Sequence, residues 1–426
     1  MTENLLHFIW QFQYFNKTEL QTEDGETLQI IKQGSHNVNQ GPDFLEASIR
    51  VGKLILVGNI ELHINASDWY RHQHTYDLNY ANVVLHVVWK NDRPVTDSLG
   101  NPLPTLVLQH RVAKVVLQRY KGLMNEGSTI PCNKFLPALN EIGWLSWKER
   151  LVAERLESKS KHVLDLYKES NNHWEEVFWW MLAGNFGIKV NTAFFERVAR
   201  TIPINLLAKH KQQLHQLEAL LLGQANLLNG DFEDDYPIML QKEYRFLQKK
   251  YKLQQLNIVP AFLRMRPAAF PTIRLAQLAV LVNNSNHLFS FCKEVGTLNE
   301  LKQQFDVIAN DYWHYHYRFD EPSTYKPKSM GPQMLENILI NTIIPVLFAY
   351  GLHTKEERYK EKAIRWLAEL SPEQNNLTKA WKKMGIENSN AMDSQALIQL
   401  SNHYCKDRNC LQCALGNKIL KGAQQA

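Results

Sequence analysis

The spacing of apolar residues changes near residue 130, and this change constrains the fold more than any other feature of the chain. From about Gln29 to Arg111, short runs rich in Ile, Val and Leu are separated by Gly, Asn, Asp and Pro, which is typical of strands joined by turns. After Ile130-Pro-Cys132 the apolar residues recur at helical spacing. The sequence therefore predicts an α+β protein, with a β-rich module over residues 1–130 and a larger all-α region over residues 131–426.

Individual elements are predicted from the same patterns. The turn Val51-Gly52-Lys53 predicts a hairpin, because glycine tolerates the positive φ that a tight turn requires. The predicted strands are Ala47–Val51, Lys53–Val57, Asn59–Ile64, Val83–Trp89 and Thr105–Gln109. The predicted helices are Trp144–Glu157, Trp174–Phe186, Ile204–Leu228, Leu275–Asn283, Lys355–Leu370 and Ala391–Tyr404.

The composition narrows the classes of function. Lysine and arginine exceed aspartate and glutamate by a net charge of +5, which permits contact with nucleic acid without requiring it. The N-terminus has an acidic residue where a secretory signal carries positive charge, and the longest apolar run, Asn337–Tyr350, is shorter than the roughly 20 residues that span a bilayer. We therefore expect a cytoplasmic protein without a membrane segment. In that reducing compartment, clustered cysteines are expected to be metal ligands and not disulfides.

Two carboxylates flank the predicted hairpin. Asp43 precedes its first strand and Glu61 lies near the end of its second, and a hairpin brings these two positions together. Glu61 and His63 are two residues apart on one strand, so both side chains point to the same face. Two carboxylates with an adjacent base form a site for Mg²⁺ or Mn²⁺, which activates water against a phosphodiester. Asp43, Glu61 and His63 are therefore the candidate catalytic residues, and Asp43 and Glu61 are the candidate metal ligands.

The same hairpin allows a second interpretation. Glu61 and His63 alternate with isoleucine and leucine, as polar residues do on the solvent face of a half-exposed antiparallel strand. In that case neither side chain has a role beyond solubility.

A cluster of histidines and aspartates follows the hairpin. A His-x-His pair with His63 or an aspartate can bind a transition metal and leave an open position for water. The sequence therefore predicts a rim around the site and leaves a zinc centre open as an alternative to a magnesium centre. The rim residues are Asp68, His72, His74 and Asp77, and His86 lies in the next predicted strand.

Three cysteines near the C-terminus, Cys405, Cys410 and Cys413, have the spacing C-x₄-C-x₂-C. The short C-x₂-C step allows two thiolates to reach one metal, and the full spacing also occurs in plant-type 2Fe–2S sites. His403, Cys132 and Cys292 are the candidates for a fourth ligand, and we favour Cys132 because it lies at the junction of the two regions. This centre is expected to hold zinc or an iron–sulfur cluster and to have a structural role.

Three arginines lie in a proline-interrupted segment that leads into a predicted helix: Arg264, Arg266 and Arg274. Guanidinium groups and a helix N-terminus together bind phosphate, so these are the candidate nucleic-acid-binding residues. The alternative is that the arginines pair with carboxylates between helices.

The hairpin resembles the core motif of the PD-(D/E)XK nuclease superfamily, in which Pro-Asp opens one strand and acidic-x-Lys closes the next. Pro42-Asp43 and Glu61-Leu-His63 match this pattern, except that His63 stands where the superfamily usually has lysine. The resemblance implies that Asp43 and Glu61 hold the divalent cation. A histidine at the third position can orient water or act as a base.

Over nearly its whole length the chain resembles a family of uncharacterised bacterial proteins known only as a domain of unknown function. The motifs that carry this resemblance are Gly41-Pro-Asp-Phe44, Glu61-Leu-His63, Ser67-Asp-Trp69, Leu85-His-Val-Val88, Glu218-Ala-Leu, Gly223-Gln-Ala225, Arg266-Pro, Phe270-Pro271, Tyr404-Cys405 and Cys410-Leu-Gln-Cys413. This second resemblance implies no particular activity.

Three functional hypotheses result. The first is a metal-dependent phosphodiesterase of nuclease type. In it the helical region contacts nucleic acid, and a metal centre bound by the cysteines joins the C-terminal segment to the N-terminal module. The second is a non-enzymatic binding or scaffold protein with a structural metal site. The third is a zinc-dependent hydrolase centred on His72, His74 and a carboxylate.

Overall fold

The computed structural model describes residues 1–134, 136, 139–263, 265–285 and 287–422. These residues form two compact units. The first unit, called the N-terminal unit, contains Met1–Trp147 and residues 400–422; the second, called the helical unit, is Lys148–Gln399. With 54% helix and 12% strand, the protein is α+β, as the sequence predicts.

The strands are β1 Leu28–Lys32, β2 Ser35–His36, β3 Phe44–Val51, β4 Leu54–Asn65, β5 Val83–Lys90, β6 Thr105–Val107, β7 His316–Arg318 and β8 Glu321–Pro322. The helices are α1 Glu3–Gln11, α2 Asp68–Arg71, α3 Lys114–Asn125, α4 Glu141–Glu169, α5 Trp174–Phe186, α6 Ile188–Thr201, α7 Ile204–His210, α8 Leu214–Gln224, α9 Asp235–Tyr251, α10 Pro271–Asn283, α11 Leu288–Glu294, α12 Leu298–Phe305, α13 Asp311–His314, α14 Pro332–Ile338, α15 Ile344–Thr354, α16 Glu357–Glu369, α17 Asn376–Lys383, α18 Ala391–Gln399 and α19 Ala414–Lys421.

A mixed sheet forms the centre of the N-terminal unit, with the strand order β1-β3-β4-β5-β6 and β2 paired with the start of β3. The β3–β4 hairpin turns at Gly52, whose φ is +56°, so the predicted hairpin is confirmed. Its register pairs Phe44 with Ile60, which places Asp43 beside Glu61. β5 then runs parallel to β4, after a crossover through α2 and two 3-10 turns, His74–Tyr76 and Leu78–Tyr80.

β4 is one continuous strand, so the prediction of two separate strands is wrong. The sequence pattern suggested a break at Gly58, but Gly58 lies in mid-strand where the chain of β5 comes close. A Cβ at this position would lie 2.4 Å from the Asn82 carbonyl oxygen and 2.5 Å from Val84 Cγ1. Glycine is therefore required for the close approach of the neighbouring chain and not for a turn.

The second half of β4 is buried on both faces, from Ile60 to His63. Helix α1 packs on β4 and buries an apolar face formed by Leu5, Leu6, Phe8, Ile9 and Trp10. Glu61 and His63 are only 5% and 2% exposed. This burial excludes the interpretation that the two residues lie on a solvent face.

The helical unit has its own core. α5, α8 and α10 are largely buried, and α10 is buried along nearly its full length. Among the described residues one helical stretch, Pro332–Thr354, is long and apolar enough to cross a membrane by length and composition alone. Within it, 72% of the apolar window is buried inside the protein, which is the environment of a core helix.

Glu218 on α8 is a fully buried carboxyl in the helical unit. It accepts hydrogen bonds from the Tyr236 hydroxyl, the Asn310 amide and, at 3.4 Å, the Trp313 indole N–H. Burial raises the pKa of Glu218 to about 7, although these three donors oppose the change. The carboxylate form is therefore disfavoured in the folded state relative to the unfolded state.

We expect Glu218 to make the stability of the helical unit depend on pH. Because its folded pKa, about 7, lies above the reference value of 4.5, the stabilisation is present below pH 4.5 and is lost as the pH rises to about 7. The loss should amount to about 3 kcal/mol, since each tenfold change in proton affinity is worth about 1.4 kcal/mol. Urea unfolding of wild type and Glu218→Gln across this range should show their stability difference changing by that amount. A difference that is constant with pH would contradict the prediction.

Candidate functional site

Asp43 and Glu61 meet at the open end of the β3–β4 hairpin through a pair of crossed hydrogen bonds. The Asp43 backbone N–H donates to Glu61 Oε2 at 3.1 Å, and the Leu62 backbone N–H donates to Asp43 Oδ2 at 2.9 Å. The Glu61 carboxyl therefore accepts from the backbone of Asp43, and the Asp43 carboxyl accepts from the backbone of the residue after Glu61. The hairpin register produces this arrangement, as the sequence predicts.

Three imidazoles converge beside Glu61. Glu61 Oε1 lies 3.5 Å from His63 Nε2 and 3.5 Å from His74 Nε2. His63 Nε2 also lies 3.1 Å from His72 Nδ1. Each of His63, His72 and His74 offers one ring nitrogen that lies within 4.8 Å of those of the other two, and they form the one such group of three or more potential ligands in the described part of the chain. We call His63, His72, His74 and Glu61 the donor cluster.

The spacing within the donor cluster suits a small metal ion. Metal–nitrogen and metal–oxygen bonds of about 2.0–2.1 Å place the ligand atoms of a tetrahedral site about 3.3 Å apart. The His63–His72 separation of 3.1 Å and the two Glu61–histidine separations of 3.5 Å lie close to that value. Glu61 is near two of the three histidines and is not part of the group whose ligand atoms all lie within 4.8 Å of one another. His74 is buried and His72 is exposed, so the cluster opens to solvent on the side of His72.

Local structure after β4 places His72 and His74. His72 caps the end of α2, and His74 begins the following 3-10 turn. Between them Gln73 adopts the left-handed conformation, with φ at +62°, which reverses the chain. The Trp69 indole N–H donates to Thr75 Oγ1 at 3.0 Å and holds this turn against the sheet.

His86 on β5 lies behind the donor cluster. Its Nε2 is 2.9 Å from His63 Nδ1, and it is paired in register with Glu61. His86 is fully buried, and its own Nδ1 has no hydrogen-bond partner among the described residues. A neighbour that accepts the Nδ1 proton of a histidine leaves Nε2 as the ligand atom, and His86 is placed to do this for His63.

The electrostatics of the cluster favour neutral imidazoles. Burial is the main cause that lowers the pKa of His63 to about 2, of His86 to about 3 and of His74 to about 4. Burial, followed by the Asp43 carboxylate, raises the pKa of Glu61 to about 9. Neutral imidazole is the form that binds metals, and a cation would offset the cost of an ionised Glu61 in this buried place.

Two members of the predicted rim have local structural partners. Asp68, only 3% exposed, accepts from the Asn65 backbone N–H at 3.1 Å and pairs with Arg71 at 2.9 Å. Asp77 accepts from the Asn79 backbone N–H at 2.9 Å and caps the second 3-10 turn. Through these contacts both carboxylates stabilise the local turns.

The sequence did not point to His7. This residue on α1 lies with Nε2 3.2 Å from Asp43 Oδ2, and its ring is near that of His36. Because α1 precedes the hairpin by many residues, no spacing in the sequence connects His7 with Asp43. The one sign of His7 in the sequence is that a histidine stands among the apolar residues of α1.

The four cysteines Cys132, Cys405, Cys410 and Cys413 come together in the N-terminal unit and line one cavity. All four are buried thiols. Of the other two candidates for the fourth ligand, Cys292 is buried on α11 in the helical unit and His403 is exposed. The structure therefore brings together the four cysteines that the sequence analysis favoured.

The arginine candidates belong to the helical unit. Arg264 lies outside the described residues. Arg266 is exposed at the start of a 3-10 turn, whereas Arg274 is buried on α10 and donates to Gln277 Oε1 at 2.8 Å. Of these two, Arg266 alone presents its guanidinium to solvent.

Comparison with known proteins gives one match. No curated protein and no solved structure matches the chain. A family model described as protein of unknown function (DUF2851) matches residues 3–376, a range that includes the donor cluster and ends before the three C-terminal cysteines. The chain therefore belongs to the DUF2851 family.

Proposed function

We propose that this protein is a metal-dependent hydrolase of phosphodiesters, with nucleic acid as its substrate class. The observation that carries the proposal is the convergence of three imidazole nitrogens within 4.8 Å of one another, with Glu61 3.5 Å from two of them. His63, His72 and His74 would hold the metal together with Glu61.

The donor set favours a transition metal over magnesium. Mg²⁺ prefers oxygen ligands and retains several waters, whereas imidazole nitrogens suit zinc and its neighbours. Three histidines and one carboxylate therefore fit zinc best, and Mn²⁺ is the second choice because it accepts both donor types. A bound divalent metal would supply Lewis acidity and lower the pKa of a water molecule.

The remaining residues have roles that follow from their positions. Asp43 lies beside Glu61, and His7 Nε2 is 3.2 Å from Asp43 Oδ2. Asp43 and His7 are therefore placed to accept the proton of an attacking water and to pass it on. His86 is a positioning residue, because it contacts His63 and does not reach the donor cluster opening. The exposed His72 marks the side from which a substrate enters.

Two observations support a phosphodiester substrate. The hairpin that carries Asp43 and Glu61 resembles that of the PD-(D/E)XK nucleases in sequence, and the Asp43 backbone N–H donates to Glu61 Oε2 at 3.1 Å. The net charge of +5 is compatible with a polyanion. Arg266, exposed in the helical unit, is a candidate for contact with nucleic acid.

The test is hydrolysis of single- and double-stranded DNA and RNA, and of bis(p-nitrophenyl) phosphate, by protein loaded with Zn²⁺ or Mn²⁺. We expect Asp43→Asn to reduce the rate by at least about 100-fold, which is the contribution of a positioned acid–base group. The matched control is Asp24→Asn, an exposed aspartate in the same unit, which should keep the wild-type rate.

The result also decides between this proposal and a scaffold role. If the metal-loaded wild type cleaves none of these substrates, or if Asp43→Asn cleaves as fast as the wild type, the hydrolase proposal fails. Stoichiometric metal in an inactive protein would then favour a binding or scaffold protein with a structural centre.

A further inference from the structure

The four buried thiols of the N-terminal unit line a cavity, and no residue of the donor cluster lines it. Each of the four, Cys132, Cys405, Cys410 and Cys413, is 6% exposed. The space that no atom occupies amounts to about 270 Å³, part of it open to solvent, and apart from the cysteines its lining consists of Leu123, Pro131, Tyr404, Leu415 and Gly416. Neither a carboxylate nor an imidazole lines it. The donors are therefore all sulfur.

The four cysteine sulfurs line this space without forming a close group. Within the described part of the chain, the one group of three potential ligands whose atoms all lie within 4.8 Å of one another is the histidine group, so no three of the four sulfurs approach that closely. A tetrahedral zinc site with Zn–S bonds of about 2.3 Å would hold its sulfurs about 3.8 Å apart. In a 4Fe–4S cluster each cysteine binds a different iron atom, and in a 2Fe–2S cluster each iron binds only two of the four cysteines. In neither case do three cysteine sulfurs lie as close together as they do around a single zinc ion.

Burial raises the pKa of all four thiols, and nearby groups partly oppose this effect at Cys405, Cys410 and Cys413. Cys413 is the N-cap of α19, and the backbone N–H groups of Gly416 and Leu415 are near enough to favour its thiolate, although its side chain makes no capping hydrogen bond. Arg408 lies close enough to Cys405 and Cys410 to act on both electrostatically, and its buried Nη1 has no hydrogen-bond partner among the described residues. Backbone amides and a cation near the sulfurs stabilise thiolates and an anionic cluster.

Gly416 permits the close packing of this segment. A Cβ at position 416 would lie 2.1 Å from the Cys410 carbonyl oxygen, so a side chain here would push the loop of Cys410 away from α19. The loop is thus held in the position that directs Cys410 and Cys413 to the same space.

We propose that Cys132, Cys405, Cys410 and Cys413 ligate an iron–sulfur cluster. The cluster joins the segment after α3 to the C-terminal segment, two parts of the N-terminal unit that are far apart in the sequence. Because it closes so long a loop, its main effect is on the stability of that unit. This proposal does not depend on the hydrolase activity.

The test is the metal and sulfide content of full-length protein purified without oxygen. We expect iron and acid-labile sulfide in equal amounts, about two or four of each per chain, with visible absorption that bleaches on reduction. Sulfide separates this centre from iron bound by histidines, which carries none. Stoichiometric zinc without sulfide, or protein that takes up no cluster from ferrous iron and sulfide under reducing conditions, would overturn the proposal.

Variants assign the ligands. Cys132→Ser and Cys410→Ser should each lose most of the iron and sulfide, whereas Cys292→Ala, which removes a buried thiol of the helical unit, should keep both at the wild-type level. Retention of the cluster in Cys132→Ser would exclude Cys132 as a ligand. If either serine variant fails to fold, the iron and sulfide content of the wild type still decides whether a cluster is present.

Discussion

The His74→Ala variant is expected to lose one equivalent of bound divalent metal, with the affinity of the donor cluster falling by more than about 100-fold. Removal of an outer-shell partner typically costs 10- to 100-fold in affinity, and removal of a ligand should cost more. His74 is buried, and its Nε2 lies 3.5 Å from Glu61 Oε1, so the alanine variant removes one of the proposed ligand atoms. Zn²⁺ titration against a chromophoric chelator measures the change.

The design must separate the donor cluster from the four cysteines, for which we propose an iron–sulfur cluster. The quantity compared is therefore the number of metal equivalents bound per chain. We expect His74→Ala to lose one equivalent. The control, His110→Ala, removes an exposed histidine of the same unit and should lose none. If His74→Ala binds the same number of equivalents with unchanged affinity, His74 is not a ligand and the proposed centre is wrong.

Trp69→Ala should destabilise the N-terminal unit by about 3–5 kcal/mol, as for other buried large aromatic residues. Trp69 is 2% exposed and packs in a core with Ala66, Val88, Val95 and Leu103. Its ring also contacts those of His74 and His86, with centroids 5.4 and 5.5 Å away. The variant should therefore loosen the donor cluster and lower its affinity for metal as well.

Hydrogen–deuterium exchange at the amides of β5 measures the stability of the N-terminal unit separately from that of the helical unit. Slowly exchanging amides of Val83–Lys90 should exchange about two to four orders of magnitude faster in Trp69→Ala, since about 1.4 kcal/mol corresponds to a factor of ten. The control is Tyr76→Ala, in which the side chain is 86% exposed and the expected change is within about 0.5 kcal/mol. Equal exchange in the two variants would show that Trp69 does not support the sheet.

Elements that depend on local pattern could be predicted from the sequence. The hairpin at Gly52 is confirmed, and the helix predicted over Trp174–Phe186 coincides with α5. Both rest on interactions between residues that are close in the chain, namely a turn that requires positive φ and an apolar run at helical spacing.

Predictions failed where packing overrides local pattern. α1 and α3 lie within the region read as β-rich, and neither was predicted. The predicted helix Ile204–Leu228 is divided into α7 and α8. Short helices and their breaks are decided by the surfaces they pack against, and a sequence pattern does not contain those surfaces.

The sequence by itself determined that Asp43, Glu61 and His63 lie on one hairpin and that Cys405, Cys410 and Cys413 lie in one short segment, because spacing along a strand or a short loop sets these distances. Only the tertiary structure decided that Glu61 and His63 are buried, that His7 and His86 contact the site, and that Cys132 lines the same cavity as the other three cysteines. Those contacts join residues far apart in the chain, and they arise from the packing of α1, β5 and the C-terminal segment, which no local spacing specifies.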